Sequence, residues 1–94
     1  MENFGKALKT GEFWIREYDI KEKGIKILKI GVYWEIRKEA FGDERDLVLV
    51  ITRGEGKIIL PGKVVKAREG DIVLIKKDEE YKIAGNFDAI GIMV

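Results

Sequence analysis

In a chain of 94 residues without a single His or Cys, chemistry falls to phenols, carboxylates and amines. The commonest metal ligand, the side chain that titrates near neutral pH, the thiolate nucleophile and any disulfide are excluded together. Between Ile30 and Arg37, the residues Ile30, Val32, Trp34 and Ile36 alternate with Gly31, Tyr33, Glu35 and Arg37. A strand with period two puts Tyr33, Glu35 and Arg37 on one face. That face offers either a polar cluster around a ligand or a solvated charge pair on a sheet. A carboxylate or Lys acting there as acid or base needs a pKa moved far from its ordinary value by burial or a neighbouring charge.

Composition narrows the partners. Eighteen Lys and Arg against 17 Asp and Glu leave a net charge of +1, without a basic block, so nucleic acid is not expected even though small barrels with exposed aromatics can stack bases. The longest unbroken apolar run is Leu47–Ile51, far short of the ~20 residues a membrane-spanning helix needs. Behind Met1–Lys6 there is no apolar stretch to serve as a secretory signal, and the chain is expected in the cytoplasm. Lys (13) and Glu (11) dominate the polar residues while Gln and Ser are absent, a bias that fits a thermophilic source.

A chain this short builds one core, so residues 1–94 read as a single domain. Short runs rich in Ile and Val, separated by Gly-containing turns, predict an all-β sandwich or barrel. Leu47–Ile51 is apolar at every position and reads as a central strand covered on both faces. Leu60-Pro61-Gly62-Lys63 carries a type II turn signature between strands Lys57–Leu60 and Lys63–Ala67. Asp71–Ile75 reads as a strand, and Gly85-Asn86 as a two-residue hairpin between Tyr81–Ala84 and Phe87–Val94. Phe13-Trp14-Ile15 reads as a strand, and Lys6–Lys9 as a helical turn. Tyr33 and Trp34, on opposite faces of one strand, would put one ring in the core and the other outside it.

The run Gly70-Asp71-Ile72-Val73-Leu74-Ile75-Lys76-Lys77-Asp78-Glu79-Glu80-Tyr81-Lys82-Ile83-Ala84-Gly85 resembles the second motif of the cupin family in length and apolar pattern. That motif runs Gly, five residues, Pro, one residue, Gly, two residues, His, three residues, Asn. Here Lys76, Asp78, Tyr81 and Gly85 stand in its Pro, second Gly, His and Asn slots. Upstream, Leu47–Gly56 resembles the end of the first motif, with Gly54 matched and Leu47 in the Glu slot. The two His slots of that motif fall on Phe41 and Asp43, or on Ala40 and Gly42. The resemblance covers roughly residues 30–94.

The resemblance implies an all-β, single-domain, cupin-like jelly-roll barrel whose metal-binding positions have changed. Phe41, Leu47 and Tyr81 supply no imidazole, and Asp43 with a phenol is too small a set for Mg or Ca, so no metal or other cofactor is expected. Tyr81 either points its OH into the barrel mouth as a hydrogen-bond donor, acid or base, or fills the space a metal and its His would take. Phe41 and Leu47 either plug the barrel or line a dry pocket for an apolar ligand. Asp43, within Gly42–Asp46, suits turn chemistry or a place beside that ligand. By analogy Asp71 caps a turn. The expected function is a metal-free binding or interaction module for a small molecule, its candidate residues being Tyr81, Phe41, Asp43, Leu47, Tyr33 and Glu35. The alternative is a cofactor-independent isomerase, epimerase or lyase acting on a sugar or keto acid, with Tyr81 and Glu35 or Asp43 as acid and base. Small cupins pair through their sheets, which together with the two apolar faces of Leu47–Ile51 implies a homodimer.

Overall fold

The computed structural model describes residues 7–9, 11–42 and 44–94. Its strands are β1 (Ala7–Lys9), β2 (Phe13–Ile20), β3 (Ile25–Val32), β4 (Glu35–Arg37), β5 (Leu47–Leu60), β6 (Lys63–Arg68), β7 (Ile72–Ile75) and β8 (Lys82–Met93). Two short 3₁₀ turns, Lys21–Lys23 and Lys38–Phe41, complete the regular structure of the described residues. All strand pairs are antiparallel.

Two long strands organise the molecule. β5 and β8 pair from Leu47↔Met93 to Ile59↔Lys82, interrupted only by a register shift between Ile51 and Arg53. Each changes its other neighbour halfway. β5 pairs with β7 over Leu47–Val50 and with β6 over Glu55–Leu60, while β8 pairs with β3 over Phe87–Met93 and with β4 over Lys82–Ala84. The result is one folded sheet with two halves: a first half in the order β2-β3-β8-β5-β7, extended by β1 beyond β2, and a second half in the order β4-β8-β5-β6. Among the described residues the sheet does not close on itself.

The halves enclose a core drawn largely from alternate residues of strands β2 to β8. Ile15, Leu28, Ile30, Leu49, Ile51, Ile75 and Met93 face inward from the first half, Ile36, Ile58, Ala67 and Ile83 from the second. The period-two pattern explains this directly: one apolar face is buried and the register carries it from strand to strand.

Several sequence readings need correction. Lys9 and its neighbours back to Ala7 form a strand instead of a helical turn; Lys6 lies outside the described residues. Leu47–Ile51 is central in the sheet, but its burial alternates, with Val48 and Val50 only half-buried on the outer face. Gly85-Asn86 makes no hairpin. A hairpin would pair the two halves of that segment with each other, whereas both pair with β5 along one continuous strand. Gly85 (φ 139°) lies where the two backbones crowd: a side chain there would come within 2.5 Å of the Gly56 Cα. The glycines at 54 and 56 likewise permit close approach instead of ending a strand, because a Cβ at Gly54 would lie 2.3 Å from the Asn86 carbonyl oxygen. The Leu60–Lys63 turn is as read, with Gly62 at φ 75°. Asp71 caps its turn, accepting a hydrogen bond from the Arg68 amide at 2.9 Å.

Candidate functional site

The loop before β8 and the 3₁₀ turn before β5 meet between the two halves. Gly42, at φ 78°, closes the turn, and Phe41 just before it is 1% exposed. From the facing loop Tyr81, half-buried, packs its ring at 6.2 Å from that of Phe41, tilted by 32°. The side chains standing in a motif-one His slot and in the motif-two His slot are therefore an aromatic pair. Lys38 ties the two segments together. Its Nζ donates to the carbonyls of Lys77 and Glu79 at 2.8 Å each and lies 3.4 Å from the Glu44 carboxylate, while its amide donates to the Tyr81 carbonyl at 3.3 Å. The loop is held further by the Lys77 amide donating to Asp46 and the Lys76 amide donating to Glu79.

Burial pushes the Tyr81 phenol well above its ordinary range, and the Glu39 carboxylate pushes the same way. A phenol held neutral donates a hydrogen bond but does not act as a base at neutral pH. Above it lies a shallow cleft of about 350 Å³, with Arg37, Glu39, Leu60, Glu80 and Lys82 around its wall.

The six candidate residues do not form one site. Phe41 and Leu47 are each 1% exposed and belong to the core. Tyr33 is 51% exposed at the bend between β3 and β4, where its hydroxyl accepts a hydrogen bond from the Trp14 indole at 2.8 Å. Trp34 is 67% exposed, so neither ring of the pair enters the core: the strand expected over 30–37 breaks at residues 33–34, and the chain crosses there from one half-sheet to the other. Glu35 projects from β4 on the side opposite buried Ile36, 3.3 Å from the Arg37 Nε and 3.7 Å from the Lys82 Nζ. It forms the charge pair on a solvated sheet face. Asp43 lies outside the described residues.

The cupin metal site can be tested against these donors. Phe41 and Leu47 are hydrocarbon, Tyr81 keeps its proton, and no group of three or more metal-ligating side chains occurs among the described residues. The donor set does not fit a transition metal, which asks for imidazole or thiolate, nor a hard cation, which asks for six or more oxygens.

A second concavity was missed in the sequence. It measures about 620 Å³ and lies across the outer face of the second half-sheet, floored by Gly56, Ala84 and Gly85 and edged by Lys57, Lys66 and Arg68, with Glu55 and Asp71 at one end. Lys57 is the direct cross-strand partner of Lys66, whereas Glu55 opposes Arg68. The Lys57/Lys66 juxtaposition is invisible until the Pro61-Gly62 turn fixes the register, after which counting outward from Leu60↔Lys63 gives it.

No family profile matches the chain, and no curated protein sequence does. Its likeness is to solved structures. A mannose 6-phosphate isomerase from Bacillus subtilis superposes with a TM-score of 0.78 at 14% identity, over 95% of this chain and 28% of that one. A nucleoside dehydratase of Streptomyces superposes with 0.75 at 10% identity, over 95% and 74%. A cupin-like protein from Thermotoga maritima superposes with 0.67 at 18% identity, over 100% and 80%. The chain spans little more than a quarter of the isomerase. Identities this low carry shape and no chemistry, and the shape, with two motif frames falling on β5, β7 and β8, is that of the cupin fold.

Proposed function

We propose that this chain is a cupin-like binding module that works without a metal, and that it takes a small anionic ligand in the groove edged by Lys57, Lys66 and Arg68. One observation carries the reading: Lys57 and Lys66 are direct cross-strand partners on adjacent strands and line, with Arg68, a groove that Gly56, Ala84 and Gly85 also line. Like charges in that position destabilise an antiparallel pair, and a bound anion converts the repulsion into two charge-assisted hydrogen bonds. The glycine and alanine floor leaves room for the ligand to approach the backbone.

The enzyme alternative finds less support. Tyr81 holds its proton, Glu35 is engaged by Arg37 and Lys82, and Phe41 and Leu47 fill the interior where a substrate would have to sit. The isomerase and dehydratase with this fold nonetheless suggest probes. In a thermal-shift screen, inorganic phosphate and mannose 6-phosphate raise the Tm in this reading, and mannose and uridine do not. A ligand at 100 times its dissociation constant stabilises by about 2.7 kcal/mol. Lys57→Ala and Lys66→Ala each remove most of the shift, and added salt weakens it. A panel of anions without effect, or a shift that survives both substitutions, counts against the groove.

A further inference from the structure

We propose that Trp14 and Tyr33 form a stacking platform for a neutral sugar ring, at the end of the first half-sheet nearest the bend between β3 and β4. A Cβ placed on Gly31 would lie 2.1, 2.6 and 2.9 Å from Nε1, Cε2 and Cδ1 of Trp14. Distances this even across the nitrogen mean that the indole covers Gly31 with a ring face and not with an edge. Glycine leaves the space for it. Ile15 and Ile30, the next pair in the register, point into the core, so Trp14 and Gly31 face outward. The indole thus lies flat on the outside of β3, half-buried, with its second face toward solvent. Its N–H donates to the Tyr33 hydroxyl at 2.8 Å, and Tyr33 is 51% exposed. Each ring is fixed before a ligand arrives, so little side-chain freedom is lost on binding.

The rim of the platform identifies the ligand. Along the register Trp14 opposes Gly31, Gly31 opposes Asp88, and Asp88 opposes Arg53. With strands ~4.8 Å apart, Asp88 stands one strand beyond the residue that the indole covers. Asp88 and Arg53 are direct cross-strand partners, yet neither side chain is engaged in an ion pair or hydrogen bond with another described residue. A carboxylate acceptor and a guanidinium donor are therefore open at the border of an aromatic face. Arg16 and Lys29 oppose each other in the next row, and Glu12, whose carbonyl accepts from the Tyr33 amide, stands on the far side. Charges of both signs surround the rings in near balance. A pyranose with equatorial hydroxyls matches this arrangement: its C–H faces stack on the electron-rich indole, and its hydroxyls leave in the plane of the ring, where each both donates and accepts. Other ligands of aromatic faces fit less well. A nucleic-acid strand brings a phosphate with every base and needs a basic track, which Asp88 and Glu12 interrupt. A proline-rich peptide in an aromatic groove needs donors for its carbonyls, and the indole N–H is spent on Tyr33. The lysine groove lies on the second half-sheet and takes an anion, so neither site depends on the other.

The chain has two tryptophans, Trp14 and Trp34, and each gives one indole N–H signal in an NMR spectrum of the full chain. Methyl β-cellobioside, whose two rings carry only equatorial substituents, is the probe. It moves the Trp14 indole signal and the Gly31 and Asp88 amide signals with a dissociation constant of about 1–10 mM. The constant is the same at about 50 and about 500 mM salt, because the ligand is neutral. Mannose, with an axial hydroxyl on one face, binds more weakly. Trp14→Ala removes the Gly31 and Asp88 shifts, and Asp88→Ala, on the rim, raises the dissociation constant about 3–10-fold while circular dichroism stays that of the wild type. Should Trp14→Ala not fold, Trp14→Phe serves in its place with a smaller but measurable rise. No shift at about 100 mM probe overturns the proposal, as do a shift confined to Trp34 and amide shifts that survive Trp14→Ala. A single-stranded oligonucleotide that binds the same residues more tightly, and is released by salt, overturns it too, assigning the rings to nucleic acid.

Discussion

The two halves of the sheet share β5 and β8, yet their outer faces differ in kind. Before the irregularity at Thr52, β5 turns Val48 and Val50 outward; after it, the same strand turns out Glu55 and Lys57. On β8 the outward residues change from Lys82 and Ala84 to Ile90 and Ile92 across the bend near Gly85. One pair of strands thus carries an apolar coat in one half and a charged coat in the other, while its inner face is apolar throughout. Burial inside the roll explains only the inner face. The outer faces follow no common burial rule: Ile72 and Leu74 stand exposed beside Val48 and Val50 in one half, and Lys57 opposes Lys66 in the other.

Substitutions along these strands separate the three environments. The largest effect belongs inside: Leu49→Ala removes a fully buried side chain between Val48 and Val50 and lowers unfolding free energy by about 2–5 kcal/mol in urea titrations. A loss under about 1 kcal/mol there would mean that the core is looser than its burial implies. Next comes the staple at the mouth. Lys38→Met leaves two carbonyls and a carboxylate without their ammonium donor, and the same titration should read a loss of about 1–3 kcal/mol. Outside the second half, Lys57→Val should change the stability of the ligand-free protein by no more than about 0.5 kcal/mol, or raise it, since a like-charge pair disappears. A clear destabilisation would show that Lys57 already has a partner and would weaken the case for the groove.

The smallest effect is in alkali. The folded-state pKa of Tyr81 lies above its ordinary value of 10.0, so the stability it confers is complete below pH ~10 and drains away as the pH climbs from there toward its folded pKa. An ultraviolet titration should therefore find a late phenolic component from Tyr81. Tyr81→Phe should remove that late component and flatten the alkaline loss of stability.

Much of the fold was legible because period-two alternation and glycine spacing report the inner face and the turns directly. The Pro61-Gly62 turn and the strand at Ile72–Ile75 follow from local chemistry, and the cap at Asp71 from the family resemblance. What misled was glycine used for another purpose: Gly54, Gly56 and Gly85 mark close contact between β5 and β8, and local sequence does not distinguish a tight crossing from a turn. Gly31 is a similar case, since a side chain there would strike the Trp14 indole that lies over it. The candidate site was legible only in part. Of the two alignments that the first motif allows, the one on Phe41 and Asp43 sets a ring beside Tyr81, as the 6.2 Å between the Phe41 and Tyr81 rings shows. Period-two alternation over residues 30–37 added Tyr33 and Glu35, which the break at residues 33–34 leaves on the outside. The lysine pair shows in neither strand taken alone, because cross-strand proximity depends on register; it follows only by counting outward from the Pro61-Gly62 turn.

Phe41 and Tyr81, in His slots of the two motif frames, pair their rings where the proposal has no metal bound. Elemental analysis of the purified protein, followed by titration with Fe(II), Mn(II), Ni(II) and Zn(II), tests that proposal most directly. Far less than one equivalent of any of them, and no rise in Tm on addition, is the expected result. One tightly held equivalent, lost or weakened in Tyr81→Phe, would contradict it.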